Sequence, residues 1–375
     1  MKVVADDKIP FLKGILEPFA DVVYKKGAEI TQTDLVDAQG LITRTRTKCN
    51  AKLLSNTAVK FIATATIGYD HIDTNYCDQN SISWTNAPGC NSGSVYQYIA
   101  SVLSTLAVKY NLDFSKQVLG VIGVGNVGKK VVRLGELLGT QVYLNDPPRQ
   151  RQQGTCGFVS LDGIVRECNI ITIHVPLTHS GTDKTYHLVD EGFLRRLSPN
   201  TILINSSRGE VVDTAALKKA LKEKWIRAAV LDVWENEPNI DQELLGLLDI
   251  ATPHIAGYST DGKANGTAMS VQALSREFNL PLKEWMPEEL PDPETPAFMF
   301  DCSGKTEQEV VVQAILSTYA VKDDDNRLRK SVDTFEAQRG NYPNRREFHA
   351  YSVQLINKHS TIEKTLKNLG FNILS

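Results

Sequence analysis

A glycine-rich turn near the middle of the chain constrains the fold more than any other feature. The apolar segment Val118–Ile122 leads into Gly123, Gly125 and Gly128 in the pattern G-x-G-x-x-G, and a helix-compatible stretch follows. In such a turn the first glycine permits the tight bend, the second lets the backbone approach a pyrophosphate, and the third lets helix and strand pack closely. The N-terminus of the following helix favours an anion. The sequence therefore predicts a Rossmann domain that binds a dinucleotide.

An acidic residue at the end of the next predicted strand supports this interpretation. Gln141–Leu144 is followed by Asn145 and Asp146, where an acid would bind the adenosine ribose hydroxyls. A carboxylate at this point repels a 2′-phosphate, which favours NAD over NADP. The nearby Arg149 keeps NADP open as an alternative, and the alternative for the turn as a whole is a chance glycine-rich loop.

Two series of short, apolar, β-branched segments alternate with helix-compatible stretches. The first series occupies residues 1–90 and the second runs from residue 118 to residue 251. This alternation is typical of parallel sheets in α/β folds. Long amphipathic helices are expected at about Ser92–Tyr110 and Ser259–Phe278. Five prolines between residues 281 and 296 predict an extended linker, and residues 297–375 are interpreted as a smaller α+β unit.

Composition narrows the classes of partner. The net charge of −3 gives no reason to expect nucleic acid or an anionic membrane surface. No two of the six cysteines form a C-x-x-C pair, so we expect reduced thiols and no metal site. No apolar run approaches the length of a membrane helix, and the N-terminus resembles a first strand rather than a signal peptide. A cytoplasmic location is expected.

Three later predicted strands are followed by polar residues of different chemistry. Arg208, Glu237 and His254 each follow a separate strand, and ligands of such sheets bind at the carboxyl ends of strands. A histidine can take the proton of a hydroxyl group during hydride transfer. A carboxylate can orient the ring, and an arginine can bind a carboxylate with a two-point fork. Taken singly, each residue could instead be a structural histidine, a helix-capping arginine or a solvated glutamate.

These segments resemble the D-isomer-specific 2-hydroxyacid dehydrogenases over about residues 1–280. The matching segments are residues 63–73, 86–89, 123–128, 204–213, 232–238 and 252–257. The resemblance implies a flavodoxin-like substrate domain (1–95 and 260–282), an inserted Rossmann NAD-binding domain (96–259) with a cleft between them, and a C-terminal α+β dimerisation domain (283–375). It implies hydride transfer at carbon 2 of a small hydroxy acid, with Arg208 as anchor, Glu237 as partner and His254 as acid/base.

The resemblance also implies residues that contact cofactor and substrate. The expected cofactor contacts are Gly123, Gly125, Asn126, Val127, Gly128, Asp146, Val175, Ser206, Ser207, Arg208, Asp232 and Gly257. The expected substrate contacts are Thr45, Thr66, Ile67, Gly68, Tyr258, Arg44, Arg46 and Arg346. Arg44 and Arg46 would bind a phosphate on the substrate, and Arg345 and Arg346 would reach a partner subunit's cleft in a homodimer. The alternative for residues 43–48 is a solvated basic loop.

Several alternatives within this superfamily stay open. The chain could be a dehydrogenase of the phosphoglycerate or the glyoxylate/hydroxypyruvate type. Formate is disfavoured, because the formate dehydrogenase branch carries glutamine where this chain has Glu237. A corepressor-like module that senses NAD would share the fold and the three polar residues, and turnover of a hydroxy acid would distinguish it from an enzyme.

Overall fold

A computed structural model describes residues 1–154, 157–357 and 359–374. The chain divides into two compact units, each described by itself. The first unit comprises Met1–Asn91 and Ser259–Pro291, and the second comprises Ser92–Tyr258 and the segment from Asp292 onward. The C-terminal segment thus belongs to the same compact unit as the glycine-rich turn. The division into three domains with the limits given above stays a prediction.

The strands, in chain order, are β1 (Lys2–Asp6), β2 (Asp21–Lys25), β3 (Gly40–Thr43), β4 (Phe61–Thr64), β5 (Ser83–Thr85), β6 (Val118–Ile122), β7 (Gln141–Asn145), β8 (Ile170–Ile173), β9 (Ile202–Asn205), β10 (Ala228–Leu231), β11 (Ile250–Ala251), β12 (Ala297–Asp301), β13 (Ser352–Ile356) and β14 (Asn372–Leu374).

The α-helices are α1 (Gln32–Leu35), α2 (Ala51–Leu54), α3 (Thr74–Gln79), α4 (Ser92–Tyr110), α5 (Asn126–Leu138), α6 (Pro147–Gln153), α7 (Leu161–Glu167), α8 (Glu191–Leu194), α9 (Thr214–Lys222), α10 (Gln242–Leu247), α11 (Thr260–Glu277), α12 (Glu307–Thr318), α13 (Val321–Lys330), α14 (Phe335–Gly340) and α15 (Ser360–Leu369). Short 3₁₀ helices occupy Gly27–Glu29, Phe114–Lys116, Gly209–Val211, Val332–Thr334 and Phe348–Ala350.

The first unit is built on a parallel five-stranded sheet in the order β2-β1-β3-β4-β5. This is the flavodoxin-like order, in which ligands bind beyond the carboxyl ends of the strands. Strands β3 and β4 are buried along their whole length, because apolar clusters cover both faces of the sheet. The expected flavodoxin-like fold is confirmed.

The second unit contains a parallel six-stranded sheet in the order β11-β10-β9-β8-β6-β7. The chain reverses direction across the sheet between β6 and β8, which creates the switch point where such folds bind dinucleotides. Strands β8, β9 and β10 are buried throughout. The Rossmann fold predicted from the glycine-rich turn is confirmed.

The C-terminal segment forms a second, smaller sheet in the order β12-β13-β14, with all strands parallel. Helix α12 begins at a capping box in which Thr306 and Glu309 satisfy each other's backbone N–H groups. Phe300, Val310 and Phe348 share one apolar cluster with Ile99 and Leu103 of α4. The C-terminal segment therefore packs onto the Rossmann part of its own chain.

Both long helices predicted from the sequence are confirmed to within one residue at their ends. Helix α4 spans the predicted Ser92–Tyr110, and α11 spans Thr260–Glu277, where Ser259–Phe278 is predicted. Residues 278–296, all of them described, form turns and extended chain as the prolines predict. Cys49, Cys77, Cys90, Cys168 and Cys302 carry buried free thiols, whereas Cys156 lies outside the described residues. No helix in the described ranges is long and apolar enough to cross a membrane.

Candidate active site

Three neighbouring strands of the second unit bring the predicted catalytic residues to one edge of the sheet. Arg208 follows β9, Glu237 follows β10 and His254 follows β11. The three strands are adjacent and parallel, so their carboxyl ends lie side by side. The sheet order therefore explains how residues 46 positions apart along the chain (254 − 208) reach the same edge.

His254 and Glu237 form a hydrogen-bonded pair. The Nδ1 atom of His254 lies 2.8 Å from Oε2 of Glu237, and Oε1 of Glu237 accepts from the backbone N–H of Trp234 at 2.9 Å. With Nδ1–H donating to the carboxylate, Nε2 of the neutral ring is the nitrogen that can accept a proton. One carboxylate oxygen of Glu237 thus orients the ring of His254, and the other fixes the carboxylate on the backbone of Trp234.

The pKa of Glu237 is lowered by its surroundings. Burial alone would raise this pKa, but the hydrogen bond and charge of His254, the N–H of Trp234 and the charge of Arg339 together outweigh burial. Glu237 is therefore a carboxylate at neutral pH and can stabilise an imidazolium ion on His254.

A buried carboxylate holds the turn that carries His254. Asp232 is 1% exposed, and it accepts from Oγ1 of Thr252 at 2.6 Å and from the N–H groups of Ile255 and Ala256 at 2.8 and 2.9 Å. Burial raises the pKa of Asp232. His254 itself has φ +56°, a conformation that costs a non-glycine residue of order 1–3 kcal/mol and persists only where its surroundings impose it. The bonds to Asp232 supply that constraint, while its predicted cofactor contact stays a prediction.

A close backbone approach places Arg208 beside the segment that carries Glu237. A Cβ atom on Gly209 would lie 2.0 Å from the carbonyl carbon of Trp234, so only glycine lets these two segments meet. The side chain of Asn205 donates to the carbonyl oxygen of Arg208 at 2.9 Å. Arg208 is half-buried, and its Nη1 donates to the carbonyl oxygen of Ser207 at 2.8 Å.

The glycine-rich turn has the space that a dinucleotide requires. Gly123 has φ +87°, and a Cβ on Gly128 would lie 2.0 Å from the carbonyl oxygen of Gly123. At Gly125 no heavy atom of the described residues, apart from the glycine and its two chain neighbours, lies within 4 Å of the Cβ position, so a phosphate can approach the backbone there. Asn126, exposed, begins α5, and Val127 packs on the apolar cluster beneath it. These residues fit the pyrophosphate of NAD.

Asp146 and Arg149 both lie against this turn. One carboxylate oxygen of Asp146 accepts from the N–H of Val124 at 2.8 Å and the other from the N–H of Arg149 at 3.0 Å. Arg149 donates through Nη1 to the carbonyl oxygen of Val124 and through Nη2 to Gln153. The acid thus lies where the sequence places it, and the arginine is engaged by the turn and by its own helix.

The other predicted cofactor contacts lie along the same edge. The Cβ position of Gly123 is 2.9 Å from a methyl group of Val175, which follows β8. The hydroxyl of Ser206 is buried and has no hydrogen-bond partner among the described residues, whereas the hydroxyl of Ser207 donates to Asn205 at 2.8 Å. Gly257 is half-buried and precedes Tyr258. Their contacts with NAD stay predictions.

The predicted substrate contacts of the first unit follow its adjacent strands β3 and β4. Thr45 and Arg46 are exposed and Arg44 is half-buried, with Nη1 donating to the carbonyl oxygen of Lys8 at 3.2 Å. Thr66 lies 2.8 Å from Thr64 through the two hydroxyls and donates to the carbonyl oxygen of Gly68 at 2.9 Å. The carbonyl oxygen of Ile67 accepts from Asn86 at 2.7 Å. These bonds order the loop after β4.

Arg345 and Arg346 lie in the C-terminal segment of the second unit. They are 4% and 7% exposed, and Arg345 donates to the carbonyl oxygen of Ala256 of its own chain at 2.6 Å. Their expected contact with a partner subunit's cleft stays a prediction.

No sequence motif points to Arg339, which the structure places against the turn that follows His254. It lies on the short helix α14, and its guanidinium carbon is 5.8 Å from the centre of the Tyr258 ring. Helix α14 carries no motif, so only the packing of the C-terminal segment reveals this contact.

Residues 103–256 match the family described as D-isomer specific 2-hydroxyacid dehydrogenase, NAD binding domain. Residues 290–370 match a domain of unknown function. Among solved structures, D-lactate dehydrogenase from Aquifex aeolicus, complexed with NAD and lactic acid, is 25% identical with a TM-score of 0.63, and the match covers 76% of this chain and 97% of that one. Fold and site thus define an oxidoreductase of the NAD-binding 2-hydroxyacid dehydrogenase class.

Curated relatives narrow this class. The erythronate-4-phosphate dehydrogenase of Bacteroides thetaiotaomicron is 48% identical over 94% of this chain and 99% of its own length. The enzyme of the same name from Hahella chejuensis is 38% identical, and the match covers the whole of both chains. The chain therefore belongs to the erythronate-4-phosphate dehydrogenase family.

Proposed function

We propose that the chain oxidises 4-phospho-D-erythronate to 2-oxo-3-hydroxy-4-phosphobutanoate with NAD, as a step of pyridoxal 5′-phosphate biosynthesis. The names of its full-length relatives support the substrate. The observation that carries the chemistry is the hydrogen-bonded pair of His254 and Glu237 at the edge of the sheet where Arg208 also lies.

The acid/base step follows from the geometry of this pair. NAD, when bound, supplies the acceptor for the hydride that leaves carbon 2. Nε2 of His254 takes the proton of the hydroxyl on that carbon, so the C–H and O–H bonds break and a carbonyl double bond forms. Glu237 holds the ring through Nδ1 and stabilises the positive charge that the proton brings. A positioned general base of this kind contributes about 10²–10⁴-fold to the rate.

Arg208 is the proposed anchor of the substrate carboxylate. Its planar guanidinium can donate two parallel hydrogen bonds, which fixes the substrate as well as binding it. The half-buried position of Arg208 strengthens such a bond compared with an exposed arginine. Thr66, Ile67, Gly68 and Tyr258 remain the proposed further contacts.

The loop after β3 is the proposed site for the phosphate. Arg44 and Arg46 flank Thr45, and Arg46 is exposed. A phosphate accepts from guanidinium groups in the same two-point manner as a carboxylate. Arg346, which is 7% exposed in its own chain, remains a proposed further contact of the phosphate.

We also propose that the protein is a cytoplasmic homodimer that associates through the C-terminal sheet. Met299, Ile356 and Leu374, on β12, β13 and β14, are 61%, 42% and 42% exposed, and large apolar side chains grouped on one sheet favour association. Sedimentation velocity should give a dimer for the native chain. Met299→Asp should shift the equilibrium toward monomer, and a monomeric native chain would overturn this part.

A panel of substrates with NAD tests the proposed function. It comprises 4-phosphoerythronate, 3-phosphoglycerate, D-lactate and D-glycerate, with formation of NADH followed by its absorbance. The proposal predicts the highest kcat/KM for 4-phosphoerythronate. Preference for another member would assign a different dehydrogenase type, and binding of NAD with turnover of none would indicate an NAD-sensing module.

A further inference from the structure

Arg339 on α14 lies against the turn that follows His254. Its guanidinium carbon is 5.8 Å from the ring centre of Tyr258 and 5.9 Å from that of Phe335. Its Nη1 donates to Oε1 of Glu336 at 2.8 Å, and the side chain is 18% exposed. Its Nε is buried and has no hydrogen-bond partner in the parts of the chain that the structure describes. A cation is thus held, mostly out of water, against the turn that follows His254.

The charge of Arg339 and that of Glu237 act on each other. Arg339 is among the groups that lower the pKa of Glu237. Burial by itself would lower the pKa of Arg339, but Tyr258, Glu336 and Glu237 reverse this and raise it. Both shifts describe one attraction between the two charges, and partial burial weakens the screening of this attraction by solvent.

The same C-terminal segment holds the turn mechanically. Arg345 donates to the carbonyl oxygen of Ala256 at 2.6 Å. The ring of Tyr342 meets the ring of Tyr258 edge-on, with the centroids 5.9 Å apart. Three residues of this segment thus contact the stretch from Ala256 to Tyr258, directly after His254.

We propose that Arg339 is a positioning residue of the acid/base pair: its packing on Tyr258 braces the turn that carries His254, and its positive charge favours the carboxylate of Glu237. This gives residues 290–370, which match a domain of unknown function, a part in the chemistry. The inference rests on the roles proposed above for Glu237 and His254. Arg339 acts through Glu237 and is not assigned to the substrate.

Charge and packing can be separated by three variants. Arg339→Met removes the cation and keeps most of the side-chain volume, and Arg339→Lys keeps the charge. Glu336→Gln breaks the same ion pair as Arg339→Met but removes a negative charge instead. Arg133→Met is the matched control, because Arg133 is an exposed arginine on α5 with a loose ion pair to Glu136 at 3.9 Å.

The readout is the pH profile of kcat/KM, whose acid limb reports protonation of the Glu237–His254 pair as a unit. The charged groups that act on that pair are Arg339, which acts on Glu237, and Asp232, which acts on His254, while Glu336 and Tyr258 act on Arg339. When the positive charge of Arg339 is lost, the Glu237–His254 pair binds a proton more readily, so it is protonated at a higher pH. Arg339→Met should therefore move the acid limb up by about half to one pH unit.

Arg339→Lys should leave the limb near its native position, and Glu336→Gln should leave it unchanged or move it down. If Arg339→Met and Glu336→Gln moved the limb alike, or neither moved it, Arg339 would be a structural ion-pair partner only and the inference would fail. Thermal unfolding and NAD binding check that each variant is folded. Should Arg339→Met not fold, Arg339→Lys and Glu336→Gln still decide, because neither should move the acid limb up and an upward shift in either variant would overturn the inference. Normal turnover in His254→Ala would contradict the proposed mechanism itself. An unchanged acid limb in Arg339→Met would overturn only the role proposed for Arg339.

Discussion

Asp232→Asn tests whether Asp232 holds the turn that carries His254, and the expected change in the free energy of unfolding can be estimated from the structure. The carboxylate accepts three hydrogen bonds, from Thr252, Ile255 and Ala256. The side-chain carbonyl oxygen of an asparagine can still accept from Thr252 and Ile255. Its NH₂ group would face the N–H of Ala256, and because both groups are donors, no hydrogen bond can form there. A buried N–H left without a partner costs about 1–3 kcal/mol.

The charge of the carboxylate works in the opposite direction. Because burial raises the pKa of Asp232, the ionised group already costs some stability, and asparagine escapes that cost. The free energy of unfolding should therefore fall by about 1–3 kcal/mol rather than more. The turn should also loosen, so kcat should fall by roughly tenfold or more, as expected when a catalytic group is misplaced.

Urea denaturation followed by tryptophan fluorescence measures this change. Trp234 is 4% exposed and its indole donates to the carbonyl oxygen of Thr252 at 3.0 Å, so it reports on the turn itself. Asp78→Asn, at an exposed position, is the matched control and should be neutral. Native stability together with native kcat in Asp232→Asn would refute the assignment of Asp232 as the support of His254.

The remaining predictions concern the ligands. Arg208→Lys should lower kcat/KM by about ten- to a hundredfold, since an ammonium group cannot reproduce the two-point fork; an ester of the substrate that turned over as well as the acid would contradict the anchor. Asp146→Ala should reduce the preference for NAD over NADP by about tenfold or more, because the repulsion of a 2′-phosphate is lost; an unchanged ratio of kcat/KM values would disprove it. Arg46→Ala should raise KM for the phosphorylated substrate by about ten- to a hundredfold and leave an unphosphorylated hydroxy acid little affected, whereas Lys60→Ala, at another exposed cation, should change neither. Equal losses on both substrates would mean that Arg46 serves folding.

Much of the fold was predictable because its signals are local. The strand, glycine-rich turn and helix around Gly123–Gly128 lie within a short stretch of chain, and Asp146 follows at the expected distance. Buried parallel strands such as β8 and β10 are short apolar runs, which is why the sequence shows them as a series.

The C-terminal segment was harder to predict, for physical reasons. Strand β12 reads Ala-Phe-Met-Phe-Asp, with one buried residue, so it lacks the pattern of a covered strand. The burial of Arg345 depends on Tyr319, Tyr342 and the carbonyl oxygen of Ala256, which lie far from each other in sequence. The same holds for Arg339, whose neighbour Tyr258 precedes it by 81 positions (339 − 258). Contacts of this kind arise only from packing between distant segments.

The sequence motifs did select three residues that the sheet order brings together, and their catalytic roles stay predictions. Arg208, Glu237 and His254 were chosen because each follows a strand, and adjacent parallel strands make such positions neighbours. Motifs could not show that Asp232 holds the turn after β11, because this role depends on the hydrogen bonds that its carboxylate accepts from Thr252, Ile255 and Ala256.

The most direct test of the whole account is the turnover of His254→Ala with 4-phosphoerythronate and NAD. The account predicts that kcat falls by about 10²–10⁴-fold, while the affinity for NAD stays within about threefold of the native value, because the glycine-rich turn is untouched. His359→Ala, at an exposed histidine, should keep full activity. Near-native turnover in His254→Ala would contradict the account, since the proton of the substrate hydroxyl would then have another acceptor.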